Sequence, residues 1–170
     1  RTYIRILTAM GKLIIKSAFL SACMLAPLIA PTTYAADLIS ADDPEAILNI
    51  ARGFGSARLT EDSAGDPKIS GRIDGTKYGI YFHGCNSDGE RCDEIKFGTA
   101  WVVEDRVSLE TVNEWNRTKK FGVAYLDSDG DPNLDMAVNI DYGVTIENLE
   151  DSFSYWEKIV PAFKDQVLNQ

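Results

Sequence analysis

What most constrains the fold of this chain is its punctuation. Between residues 54 and 140, short apolar segments are separated by turns of specific chemistry. Asp62-Ser-Ala-Gly-Asp-Pro67 and Asp127-Ser-Asp-Gly-Asp-Pro132 combine Asp, Gly and Pro, each of which favours chain reversal for its own steric or hydrogen-bonding reason. Asp74-Gly75 is a dipeptide preferred in tight hairpins. So many reversals leave room for strands rather than long helices. The segments between them read as strands over 54–60, 68–73, 78–83, 94–102, 123–126 and 134–140. In the last, Leu134, Met136, Val138 and Ile140 alternate with polar neighbours, so one face is buried and the other solvated. The two longer turns share Asp-Ser-x-Gly-Asp-Pro, and each follows a helix and a strand and precedes a strand. That repetition suggests two helix-strand-strand halves facing one core, although reuse of good turn residues explains it equally.

Three helices frame the strands. Asp43 caps the first, with Pro44 at the first helical position, Ile47, Leu48 and Ile50 on its apolar side, and Gly53 at its end. Ser108 caps a second, from Leu109 to about Lys120, with Leu109, Val112 and Trp115 apolar. Arg117, Lys119 and Lys120 fall in its last turn, where cations favour the dipole, and Gly122 stops it. Thr145 caps the third, which carries Ile146, Leu149, Phe153, Trp156, Ile159 and Val160 until Pro161 kinks or ends it. Residues 37–42 read as a short polar lead. The expectation is an α+β domain: a largely antiparallel sheet of about five to six strands with helices on one face.

Residues 1–35 have a different character. They hold Arg1, Arg5, Lys12 and Lys16 and no acid, then an apolar run from Leu13 to Ala30, interrupted by Lys16, and the small residues Thr33-x-Ala35. A basic start, a short apolar stretch and small residues at the cleavage positions form a signal peptide, with the natural start expected at Met10 and cleavage near Ala35. The domain is then 36–170, exported to the periplasm or beyond. Two alternatives remain: an uncleaved anchor, for which the run from Ser17 to Ala30 is short, and a lipoprotein modified at Cys23 in Leu20-Ser-Ala-Cys23, although the run continues apolar past it.

Four of the seventeen basic residues lie in residues 1–35, so the remainder carries 13 against 26 acids, a net of −13. Such a domain repels nucleic acid and anionic membranes at long range and attracts a basic partner or a cation. If Cys23 leaves with the leader, Cys85 and Cys92 remain, flanking a turn rich in Asn, Asp and Gly. In an oxidising compartment they form a disulfide. Zinc would need four ligands, and His83 is the only histidine. Six intervening residues are too many for a redox pair of thioredoxin type.

Few constellations carry chemistry. Asp127, Asp129 and Asp131 begin like a calcium loop, but Pro132 stands where Gly is needed and Val138 where a bidentate Glu belongs. No nucleophile elbow, phosphate-binding loop, dinucleotide fingerprint or zinc spacing is present, so neither an enzyme nor a cofactor is expected. Asn113 and Asn116 lie one turn apart beside Trp115, either bonding neighbouring backbone and filling the core or forming an interaction surface.

That last string, Asn113-Glu-Trp-Asn116, with Lys120-Phe-Gly122, Ala124-Tyr-Leu126, the Asp-Gly-Asp-Pro turn, and Gly143-Val-Thr before a Trp-bearing helix, resembles the YbjN family, specifically its exported members with a Gly-Cys…Cys loop. The resemblance covers residues 36–165. It implies a fold like that of type III secretion chaperones, with a curved antiparallel sheet, and the label of a sensory-transduction regulator. No catalytic residue comes with it. Secretion-chaperone folds commonly pair, which makes a homodimer an expectation. The function expected is thus a non-enzymatic periplasmic binding, interaction or regulatory module for an unknown protein partner, not transmembrane after cleavage. The alternatives are a calcium-responsive envelope protein using 127–132 and a hydrolase of undefined type.

Overall fold

The computed structural model describes residues 37–87 and 91–169. The expected signal peptide over 1–35, with the expected start at Met10, the lipidation alternative at Cys23 and the expected cleavage near Ala35, lies outside them. A two-residue strand β1 (Leu38–Ile39) precedes helix α1 (Pro44–Gly53), then strands β2 (Ser56–Glu61), β3 (Pro67–Ile73), β4 (Thr76–His83) and β5 (Glu94–Ala100). Helix α2 (Leu109–Thr118) leads into β6 (Val123–Leu126) and β7 (Pro132–Asn139), and β8 (Val144–Thr145) into α3 (Ile146–Phe163). A π-helical turn over Lys164–Leu168 follows. The main sheet is six-stranded, antiparallel and open, in the order β2-β3-β4-β5-β7-β6.

Local chemistry sets most boundaries. The Asp43 carboxylate accepts a hydrogen bond from Ala46 N at 2.9 Å and caps α1. Ser108 and Thr145 do the same for α2 and α3, from Thr111 N at 3.1 Å and Asn148 N at 3.2 Å. Asp74 and Gly75 both take positive φ, 44° and 76°, which closes the β3–β4 hairpin in the sense that matches strand twist. The two Asp-Gly-Asp-Pro turns have the same construction. In each, the first Asp carboxylate accepts two backbone N–H groups, those of Ala64 and Asp66 on Asp62 and of Asp129 and Asp131 on Asp127. Each turns on a glycine of positive φ, Gly65 at 92° and Gly130 at 87°. The strand order is correspondingly palindromic. An edge strand preceded by its helix, then that strand's hairpin partner, then a central strand, occurs from either side.

One face of the sheet is the core. Ile69, Ile80, Ile95, Phe97 and Leu134 are fully buried there, against Leu149, Phe153, Trp156 and Val160 of α3 and Ile47 and Leu48 of α1. The Phe97 ring meets Phe153 edge-on at 4.8 Å between centroids and lies 5.5 Å from Trp156. The helices therefore lie on one side, and the opposite face is left open.

Three local expectations change. Leu38–Ile39 is not a polar lead but pairs with Val144–Thr145, burying Ile39 and Ala41. Helix α2 ends at Thr118, not near Lys120, because the Trp115 indole donates to Gly122 O at 3.0 Å, which requires the chain to reverse at once. Gly122, at φ 79°, belongs to that reversal and does not stop the helix. Pro161 sits inside α3, which continues to Phe163.

Candidate functional site

Strand alternation decides what the open face carries. Ile69, Gly71 and Ile73 of β3 point to the core side, so Lys68, Ser70 and Arg72 point away. The register sets Lys68 opposite Tyr81, Ser70 opposite Gly79 and Arg72 opposite Lys77. On the neighbouring strands Arg58 pairs with Ser70, and Gly98 with Gly79. Ser70, Gly79 and Gly98 thus form a low floor running across three strands. Lys68 with Tyr81 rises on one side and Arg72 with Lys77 on the other. The result is a trough of about 780 Å³ with no acidic side chain in its lining.

The glycines are what make it low. A Cβ on Gly79 would come within 2.8 Å of the Tyr81 ring, which leans across it. One on Gly98 would stand 3.0 Å from the Asp135 carboxylate. Strand-interior glycine weakens a sheet and marks places where something approaches the backbone closely; here Tyr81 fills part of that space. Lys68 Nζ sits 4.4 Å from the Tyr81 ring centroid, a cation–π contact that holds the ring down.

The electrostatics are lopsided. Among the described residues, Arg58, Lys68, Arg72 and Lys77 form no ion pair, whereas Lys96, just outside the trough, is bridged to Asp135 at 3.1 Å. Arg72 donates to Gly75 O at 2.8 Å, which leaves its charge uncompensated. Arg72 and Lys77 are like charges directly opposite each other, an unfavourable cross-strand pair. The Ser70 hydroxyl lies 3.1 Å from Thr60 Oγ1, whose own proton goes to Lys68 O at 2.9 Å, so Ser70 is the donor of that pair.

The residues singled out from sequence are dispersed. Cys85 and Cys92 are joined in a disulfide beyond the ends of β4 and β5. Trp115 is 2 % exposed, its indole spent on Gly122. Asn116 brackets the edge strand β6, donating to Ala124 O at 2.9 Å and accepting from Ala124 N at 2.8 Å. Asn113 is exposed on α2. His83 is exposed at the end of β4 and stacks on Tyr81, with 6.5 Å between centroids, outside the trough lining. The Asp127 carboxylate is turned inward on its own backbone, and these bonds hold it below the ordinary carboxylate range. Among the described residues no three His, Cys, Asp or Glu converge to hold a metal ion, and no helix is long and apolar enough to cross a membrane.

The trough was missed from sequence. Two faint signals were available: Lys68-x-Ser-x-Arg72 places cations on the solvent phase of a strand, and Gly79 and Gly98 interrupt otherwise good strands.

Comparison with known proteins gives one family. Residues 43–169 match the family model YbjN, described as "Putative bacterial sensory transduction regulator". No curated protein matches the chain.

Proposed function

The chain belongs to the YbjN family, and from that premise we propose that it is a non-enzymatic periplasmic binding module whose recognition element is the open face of its sheet. The observation that carries this reading is the helix-free, cation-lined trough over β2 to β5. A face needed only for solubility would not gather four cations that form no ion pair among the described residues, in a domain with twice as many acids as bases. A regulator of sensory transduction works by recognition, and the family label is consistent with that.

The non-enzymatic part rests on the family label, which names a regulator and no reaction. In the trough the Ser70 proton is engaged by Thr60, and His83 lies outside the lining. Export is supported by the Cys85–Cys92 bond, which fits an oxidising compartment, and by the composition of residues 1–35.

The test is photo-crosslinking in intact cells followed by fractionation. Crosslinkable residues placed on the sheet face at Ala100 and Ala137 are compared with others on α3 at Glu157 and Lys158. A discrete adduct from the sheet positions in the periplasmic fraction, absent from the helix positions, is expected. Adducts from the helix positions alone, or an unprocessed cytosolic chain with free Cys85 and Cys92 thiols, would refute the proposal.

A further inference from the structure

The geometry points to a ligand class for the trough: a compact polyanion of small-molecule size, with phosphate or carboxylate groups placed to meet both cationic walls. This rests on the open sheet face being the recognition element, and it narrows what that face recognises.

Residues 36–170 carry 13 cations and 26 acids. Four of those cations line one trough that has no acid in its lining. Arg72 and Lys77 oppose each other in register with no carboxylate paired to either among the described residues. An oxyanion between them converts a repulsion into two charge-assisted hydrogen bonds, and guanidinium groups such as Arg58 and Arg72 grip planar or tetrahedral oxyanions in bidentate fashion. Lys68 and Arg72 lie four residues apart on β3, roughly 13 Å at the usual strand rise. A single phosphate or sulfate group cannot reach both walls, whereas a molecule with two or more linked anionic groups can. The volume of about 780 Å³ also falls in the range of small-molecule sites.

The rest of the domain sets the upper limit on size. A nucleic acid or an anionic bilayer would carry further phosphates over the surrounding acids, against a net charge of −13. A compact anion confines its charge to the trough. The carboxylate nearest the floor, Asp135 beside Gly98, is already bridged to Lys96 at 3.1 Å.

Calorimetry of the purified chain at low salt, with inorganic pyrophosphate and with citrate as probes, tests this. One-site binding of at least one probe is expected. Arg58→Gln combined with Arg72→Gln should weaken it about tenfold or more, and Lys77→Gln alone should weaken it measurably. Arg106→Gln with Lys120→Gln, away from the trough, should change it less than about twofold. Circular dichroism checks that each variant is folded. Preference for pyrophosphate assigns the ligand to phosphates, and preference for citrate to polycarboxylates. The inference is overturned if neither probe binds at millimolar concentration, if the distant pair weakens binding as much as the trough pair, or if hexaglutamate binds more tightly than both probes. Should sheet-face adducts form in cells while neither probe binds, the ligand class falls and the binding face stands.

Discussion

Replacing Asn116 by alanine removes both bonds that close the free side of β6. In the sheet order β6 is an edge, paired only with β7, and Ala124 turns its N–H and C=O away from that partner. Asn116 meets both groups, at 2.8 and 2.9 Å, much as a further strand would. A hydrogen bond of this kind contributes about 0.5–1.5 kcal/mol net, so the pair contributes about 2 kcal/mol, falling toward 1 kcal/mol if water re-solvates the freed groups. Urea unfolding of Asn116→Ala should show a midpoint lowered by roughly 0.5–1 M with an unchanged slope. Asn116→Asp keeps the acceptor but sets a charge against Ala124 O, and should recover less than half of the loss. Asn113→Ala, on the same helix, should stay within about 0.5 kcal/mol of the parent. The bared edge should also self-associate more, visible as a rising mass by light scattering. Equal effects of the Asn113 and Asn116 substitutions, or a loss below about 0.5 kcal/mol at Asn116, would refute the strand-mimic account and return Asn116 to the pool of recognition residues.

Three further predictions concern the scaffold. Cys85→Ser with Cys92→Ser opens a short loop and should destabilise the domain by about 2.5 kcal/mol in the chain-entropy model, read from the same unfolding curves. Asp62 and Asp127 are held below their ordinary value of 3.8 chiefly by the backbone N–H groups of Ala64 and Asp131. Their contribution is therefore complete above that value and is lost as pH falls through the depressed folded-state range, so the variant carrying Asp62→Asn and Asp127→Asn should flatten the acid limb of the stability–pH curve. Burial raises the Tyr78 phenol to about 12, and its hydroxyl has no hydrogen-bond partner among the described residues. Tyr78→Phe should then raise stability by about 1 kcal/mol in thermal unfolding, and a loss of more than that would mean the hydroxyl is satisfied.

What could be read in the sequence was what is decided locally. The caps at Asp43, Ser108 and Thr145, and the reversals at Asp74-Gly75 and the two Asp-Gly-Asp-Pro turns, depend on residues a few positions away. The errors came where distant residues decide. Leu38–Ile39 becomes a strand only because Val144–Thr145 arrives beside it from the other end of the domain. Helix α2 stops early because Trp115 and Asn116 are bonded to Gly122 and Ala124. The trough needed the register of four strands and the knowledge that all three helices lie on the other face. Each of its cations, taken singly, reads as an ordinary solvated residue.

The palindromic strand order has a last consequence. The two ends of the sheet are built alike, each a hairpin closed by the same Asp-anchored turn, yet their solvent sides are not alike. Arg58, Lys68 and Arg72 stand over β2 and β3, whereas Asp135 with its Tyr125 and Lys96 contacts stands over β7 and β6. The backbone is nearly indifferent to being turned end for end, and the side chains are not. A visitor with unequal ends is thereby told which way round to lie.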